Sequence, residues 1–312
     1  MSRIARLTSA AAVAGLILCG SAAAVQRTFV SSTGSDANTA SSCGVASPCR
    51  GFAAAQTVTS DGGEIVALDA AGYGPITITQ NITIIANPGF YAGITAPSGN
   101  AVTIATASIN VRLVGLKING QGTGTKGIVM SNGSSLTVED CSVTGFTSNA
   151  IEVTTAARVR VSNTTAANNG GSGIVVSGGA KVDVVGSRFF SNFVGVFSND
   201  NGSGTPPTSV AATNVVASEN SYGFVVQAFG TGAIGHLTVS DSTADHNTFD
   251  GFRAGSGAGL LGQLSVSSSK SSRNGSFGFN NVGSATFNSG GNNLVQDNAT
   301  NLGGTITNVG LN

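Results

Sequence analysis

The feature that most constrains this chain is a repeat of about 23 to 28 residues built on the pattern apolar–x–apolar. Val159 and Val161 begin one copy, and Val182 and Val184 begin the next. A repeat of this length is typical of solenoids and propellers, in which each unit packs only against its neighbours. The copies begin at Val111, Leu136, Val159, Val182, Val210, Leu237 and Leu264, with a degraded copy at Ala285.

Each copy contains three short strand signals separated by turn signals. In most copies, the residue four positions after the start is of a type that tolerates a left-handed backbone. This pattern predicts a sharp corner at that position. An asparagine near the tenth position predicts a second corner, and a glycine, or Ala150 in one copy, then opens a third apolar stretch. The first corners are Gly115, Asp140, Asn163, Gly186, Asn214, Asp241 and Ser268, and the second are Asn169, Asn192, Asn220, Asn247 and Asn274.

Three strands and three turns per copy predict an all-β fold, a single-stranded right-handed parallel β-helix. The crossover rule gives the handedness, and equivalent asparagines on stacked coils are expected to form a hydrogen-bonded ladder. A propeller is the alternative, but it requires four strands and about 40 residues per blade. We expect an N-terminal cap at 25–62 and the β-helix at 63–312.

Residues 1–24 have the character of a secretory signal peptide. Arg3 and Arg6 precede an apolar run at 11–18, and small residues at 21–24 predict cleavage after Ala24. No stretch reaches the roughly 18 apolar residues of a membrane span. Cys19 is a weak candidate for lipid attachment because Leu18, rather than a small residue, precedes it. We therefore expect an exported protein, periplasmic or extracellular, without a membrane span.

The charge of the chain argues against nucleic-acid binding, and its cysteines predict one disulfide. Without Arg3 and Arg6 the chain has 12 basic and 14 acidic residues, too little positive charge to hold nucleic acid electrostatically. In an oxidising compartment Cys43 and Cys49 are expected to form a disulfide across their short loop, with metal binding as the weaker alternative. Cys141 is expected to be a buried, unreactive thiol.

The repeat resembles the right-handed parallel β-helix proteins of the pectin lyase-like superfamily over roughly 63–304. The segment "FVSSTGSDANTASSCGVASPCRGFAAA", followed by "GGEIVAL", resembles the N-terminal region of bacterial exported members. This resemblance implies a short helix at 52–58 that covers the open end of the coil and its unpaired strand groups. The superfamily includes lyases, hydrolases and members without known activity, so the resemblance implies a fold rather than a reaction.

Relatives that cleave uronans place their site outside the strand that precedes the longest loops, here the third strand of each copy. A lyase requires clustered carboxylates for calcium and a base, and a hydrolase requires two or three close carboxylates. Glu152 and Arg253 are the only charges expected on this face, roughly 19 Å apart at the spacing of stacked strands. The family's catalytic pattern therefore matches no position. The outward residues are Val129, Glu152, Val175, Phe197, Val225, Arg253 and Asn280.

The sequence contains two other charge clusters. Glu139, Arg160 and Asp183 lie on first strands, where Arg160 and Asp183 are expected to form a cross-strand ion pair. The stretch "DSTADHNTFDGFR" supplies weak catalytic candidates, although His246 occupies a turn position. These candidates are Asp245, His246, Asp250 and Arg253.

The leading hypothesis is a non-enzymatic binding or structural surface component that binds its ligand through Phe197, Val225 and Arg253. The extra residues of the longer copies, at 199–208, 228–233 and 254–260, form either a rim beside this stripe or a cover over it. The expected partner is a polysaccharide or a surface protein, with no cofactor and no metal. The absence of Trp weakens the polysaccharide version, because sugar binding commonly uses aromatic side chains. The alternative is a divergent polysaccharide lyase or glycoside hydrolase.

Overall fold

Three parallel sheets wind into a right-handed β-helix, which confirms the predicted fold. The computed structural model describes residues 25–202 and 206–310, and in this part of the chain the sheets have 12, 10 and 10 strands. Each coil contributes one strand to each sheet, so neighbours within a sheet come from successive coils. No helix among the described residues has both the length and the apolar character needed to cross a membrane.

The strands follow one another along the helix axis in chain order. The first sheet contains Val25–Val30, Thr59–Ala67, Ile82–Ala86, Asn110–Val114, Ser135–Glu139, Arg158–Ser162, Lys181–Val185, Thr208–Thr213, Ile234–Ser240, Leu261–Ser267, Thr286–Ser289 and Ile306–Asn308. The second contains Ala71–Gly72, Ala92–Thr95, Lys117–Asn119, Ser142–Thr144, Thr165–Asn169, Arg188–Asn192, Val216–Ser218, Thr243–Asp245, Lys270–Ser272 and Leu294–Gln296. The third contains Ile76–Ile78, Asn100–Ile104, Lys126–Met130, Ile151–Val153, Ile174–Val176, Val194–Asp200, Tyr222–Ala228, Phe252–Ser256, Phe277–Gly283 and Thr300–Gly303.

The two corners of each coil use the left-handed backbone in different ways. At the first corner all seven predicted residues, from Gly115 to Ser268, have φ between 46° and 73°. The predicted second corner is displaced by one position, because the left-handed residue precedes the asparagine and the asparagine turns inward. These left-handed residues are Asn168, Ser191, Glu219, His246 and Arg273.

The inward asparagines form the predicted ladder. Each Nδ2 group donates to the Oδ1 atom of the asparagine on the next coil over 2.7–3.3 Å, and each backbone N–H donates to the same oxygen. Because every amide in the row has hydrogen-bond partners, these bonds offset the desolvation penalty of burying the side chains. The ladder runs through Asn169, Asn192, Asn220, Asn247, Asn274 and, beyond the prediction, Asn298.

Stacked phenylalanines fill the C-terminal half of the core. The Phe224 and Phe252 rings are 4.9 Å apart and nearly parallel, and Phe279 follows 5.3 Å from Phe252. In the same coils the second sheet supplies only the small inward residues Ala217, Ala244 and Ser271. The small side chains of one sheet therefore leave room for the large rings of another, as close packing requires.

A small cap covers the first coil. Cys43 and Cys49 form the expected disulfide, with their Cα atoms 5.0 Å apart, beside a 3₁₀ helix at Asp36–Ser41. The α-helix at Phe52–Gln56 is shorter than the predicted 52–58, and its buried Phe52 packs on Tyr73 with ring centroids 5.0 Å apart. The predicted signal peptide, 1–24, and Cys19 lie outside the described residues.

Candidate functional site

A groove of about 470 Å³ lies on the outer face of the third sheet. We name it the aromatic groove, because Phe193, Phe197, Tyr222 and Phe229 are among the residues that line it. Its lining residues come from four successive coils, which corresponds to roughly 14 Å of helix axis at ~4.8 Å per coil. The groove is therefore an elongated feature that runs across the coils.

The three residues predicted to bind a ligand lie side by side in this groove. Phe197 faces Val225 in the strand register, Val225 faces Arg253, and all three line the groove. Val225 is only 6% exposed and forms part of the floor, whereas Phe197 and Arg253 are partly exposed. The structure thus brings the predicted residues together, with Phe197 and Arg253 as the accessible ones.

A row of exposed and partly exposed aromatic side chains flanks the groove, and strand alternation in the sequence did not indicate it. Tyr222 lies between Phe193, whose ring is edge-on at 5.9 Å, and Phe249, whose ring is stacked at 5.1 Å. Phe193 is 52% exposed and Phe249 is 42% exposed. Each follows the ladder asparagine of its coil by one or two residues, so alignment on the asparagines would have found the row.

Arg253 is held in place from two sides. Its guanidinium carbon lies 5.5 Å from the centroid of the Tyr222 ring, and its Nη1 donates to Asp250 over 3.1 Å. The Asp250 side chain is 2% exposed and also accepts from Nδ2 of Asn280 at 2.8 Å and from the Phe277 N–H at 3.2 Å. Asp250 is therefore a buried counter-ion whose hydrogen-bonding capacity is used within the fold.

The other two catalytic candidates lie at the end of a second-sheet strand. Asp245 accepts from Nη2 of Arg273 at 2.6 Å and from Oγ of Ser272 at 2.8 Å, and its Oδ2 lies 3.0 Å from Nδ1 of His246. Burial raises the pKa of Asp245, but these hydrogen bonds and the nearby positive charges outweigh burial and hold it below its ordinary value. The four candidates thus form two pairs with separate partners, and no hydrogen bond or ion pair between described residues joins the two pairs into one site.

Charges on the other faces pair differently from the expectation. Arg160 and Asp183 face each other in register but form no ion pair in the described structure, and Glu139 instead binds Arg112 at 2.6 Å. Glu152 is not an isolated charge, because Lys126 from the preceding coil reaches it at 2.6 Å. Long side chains can reach beyond the residue directly opposite, so strand register alone did not identify their partners.

A second depression, of about 430 Å³, lies on the first sheet. Arg158, Arg160 and Lys181 line it together with Asp183, and all four side chains are exposed. Three cations and one carboxylate give this surface a net positive charge, in contrast to the mostly apolar aromatic groove.

Cys141 is buried as predicted. Burial raises the pKa of its thiol to about 11, against the lowering effect of nearby backbone groups. Within the described ranges, no group of three or more His, Cys, Asp and Glu side chains is arranged to hold a metal ion.

Comparisons with known proteins agree with the fold. The model of the right handed beta helix region family matches residues 55–209, and no curated protein gave a significant sequence match. The chain is similar to the solved pectate lyase Pel9A, with a TM-score of 0.59 and 16% identity over 88% of this chain and 80% of that one. It is also similar to a rhamnogalacturonan lyase, with a TM-score of 0.61 and 15% identity over 82% of this chain and 75% of that one. At such identities the likeness shows the fold alone, and the chain is a right-handed parallel β-helix protein.

Proposed function

We propose that this is an exported, non-enzymatic β-helix protein that binds a polysaccharide in the aromatic groove. The observation that carries the proposal is the clustering of exposed Phe193 and Phe229 and partly exposed Phe197 and Tyr222 beside a fixed arginine. Sugar rings present apolar C–H faces that pack on aromatic side chains, and ligand sites combine such surfaces with a few placed polar groups. The fold is shared with two solved lyases whose names refer to polysaccharides, which supports this ligand class.

The polar groups of the groove suit sugar hydroxyls. Arg253, Gln227 and Ser256 line it and offer donors and acceptors around the aromatic surface. The contacts of Arg253 with Asp250 and Tyr222 fix its guanidinium before a ligand arrives. A donor that is already ordered loses less entropy on binding, so these contacts favour affinity.

The contacts of the acidic side chains support a protein that is not an enzyme. Asp250, which binds the groove residue Arg253, is buried and accepts three hydrogen bonds within the fold. A general acid or base must instead reach the substrate proton that it transfers. Asp245 instead binds Arg273, Ser272 and His246 at the end of a second-sheet strand.

Affinity gel electrophoresis on a panel of soluble polysaccharides tests the binding. The double variant Phe193→Ala/Phe197→Ala should lose the retardation that a bound polysaccharide causes in the wild type. Phe90→Ala is the matched control, because Phe90 is 43% exposed and does not line the groove. The proposal is wrong if no polysaccharide retards the wild type, or if the double variant is retarded equally.

A polysaccharide lyase or hydrolase is the second candidate, and one observation favours it. Exposed Arg158, Arg160 and Lys181 surround Asp183 on the first sheet, and such cations could hold an anionic polymer and supply a base. The test is the release of unsaturated products or new reducing ends from uronans, with and without calcium. Turnover that Arg160→Ala abolishes would replace the non-enzymatic proposal, and turnover lost in Asp250→Asn or Arg253→Gln would place catalysis in the groove.

A further inference from the structure

We propose that the aromatic groove selects uncharged sugar residues over uronates, and that buried Asp250 sets this preference. The inference rests on the proposed function and adds the chemical class of the ligand. It follows from the charge of the groove, from the surroundings of Arg253 and from the contrast with the first-sheet depression.

The aromatic groove has no net charge. Arg253 is the one charged residue among the described residues that line it, and Asp250 lies 3.1 Å away as its counter-ion. Because Asp250 is 2% exposed and held by Asn280 and Phe277, it cannot turn away when a ligand arrives. Arg253 therefore offers hydrogen bonds without offering an uncompensated positive charge.

Each residue of a uronate polymer carries a carboxylate that must lose water to enter this groove. Phe197 and Val225 present apolar side chains there, and the Arg253 cation is already paired with Asp250. Little therefore offsets the desolvation of the carboxylate. An uncharged sugar residue loses only the hydration of its hydroxyl groups, which Gln227, Ser256 and Arg253 can replace. We expect at least about tenfold tighter binding of the uncharged form of a given backbone.

Matched polymers that share a backbone and differ in whether their substituents are charged test this preference directly. Suitable pairs are hydroxyethyl and carboxymethyl cellulose, and methyl-esterified and de-esterified galacturonan. Only retardation that Phe193→Ala/Phe197→Ala loses is counted, so that binding to Arg158, Arg160 and Lys181 does not contribute. The expected result is that, in each pair that binds, the uncharged member has a dissociation constant at least about tenfold lower.

The outcomes separate the two proposals. If the charged member binds as tightly as the uncharged one, or more tightly, the selectivity is overturned while polysaccharide binding stands. If no polymer of any pair binds, the proposed function itself is overturned.

Two variants test the cause. Asp250→Asn keeps the shape of the side chain and leaves the Arg253 charge unmatched, so the charged polymer should gain affinity and lose that gain as salt is added. Gln227→Lys adds a cation at an exposed groove position and should act in the same direction, even if Asp250→Asn does not fold. Asp183→Asn, on the first sheet, is the control for a general charge effect. Unchanged affinity for the charged polymer in folded Asp250→Asn, or in Gln227→Lys, would overturn the assigned cause.

Discussion

Asn192 and Asn220 lie on successive coils, and the Nδ2 group of Asn192 donates to Oδ1 of Asn220 over 3.2 Å. The backbone N–H of Asn192 donates to the same oxygen at 2.9 Å. Asn220 in turn donates to the carbonyl oxygen of Phe189 at 3.0 Å and to Oδ1 of Asn247 at 3.3 Å. A single buried side chain thus joins three coils of the β-helix.

Replacing this side chain should be costly. Asn220→Ala removes the side-chain acceptor of the buried Asn192 N–H and the side-chain hydrogen bonds to Phe189 and Asn247, and we expect a loss of about 2–3 kcal/mol in the free energy of unfolding. Urea denaturation followed by circular dichroism measures the loss. Asn201→Ala is the control, because Asn201 is exposed, and it should change stability by less than about 0.5 kcal/mol. Equal stability of the two variants would show that the ladder does not hold the coils together.

The phenylalanine stack should contribute at least as much to the free energy of unfolding as the Asn220 side chain does. Phe252 lies between Phe224 and Phe279 and is fully buried, so Phe252→Ala leaves a cavity that small neighbours such as Ala244 cannot fill. We expect a loss of about 3–5 kcal/mol. Phe252→Leu should lose less, because it retains more of the buried volume. Thermal unfolding compares both with exposed Phe90→Ala, and a Phe252→Ala variant as stable as that control would contradict this packing.

The acid sensitivity of the protein should depend on Asp245. Hydrogen bonds from Arg273 and Ser272 hold the pKa of Asp245 below its ordinary 3.8 despite burial, which acts in the opposite direction. The carboxylate therefore contributes stability above about pH 4 that is lost as the pH falls through its lowered pKa. Asp245→Asn should show a smaller loss of stability between about pH 5 and about pH 2. Exposed Asp183→Asn serves as the comparison, and identical acid profiles for both variants would argue against the role of Asp245.

Cys141 should resist alkylation in the folded protein. Its thiol is buried, and burial raises its pKa to about 11, so little of the reactive thiolate is present near neutral pH. Iodoacetamide at about pH 8 should modify Cys141 only after denaturant is added. Mass spectrometry of the peptide that contains Cys141 measures the modification. Rapid labelling without denaturant would show that the first corner of this coil opens readily.

The coil architecture was readable from the sequence because it depends on residue types that recur. The first corners were predicted correctly, since Gly, Asn and Asp there share a tolerance for the left-handed backbone. The second corners were displaced by one residue because Ser191, Glu219 and Arg273 have no common side-chain chemistry. The inward asparagine is the recurring residue, and it marks the ladder rather than the turn.

The candidate site was only partly predictable. The alternation of side chains along a strand correctly predicted that Phe197, Val225 and Arg253 share one face of the sheet. This was possible because successive side chains of a strand always point to opposite faces. Phe193 and Tyr222 lie at the corner, at different offsets from the start of their copies, so alternation did not reveal them. The role of Asp250 depends on Asn280, which lies 30 residues away and comes close only through coil stacking.

The extra residues of the longer coils enter at the end of the third strand and beyond it, whereas the asparagine ladder lies before that strand. In each coil, the residue that joins the coil to its neighbours and the residues that form the outer surface therefore lie in separate stretches of sequence. Substitutions at Phe229, Ser256 or Gly257 change the lining of the aromatic groove without altering Asn192, Asn220 or Asn247. A β-helix of this kind can therefore change the ligand that it binds and keep the asparagine ladder that joins its coils.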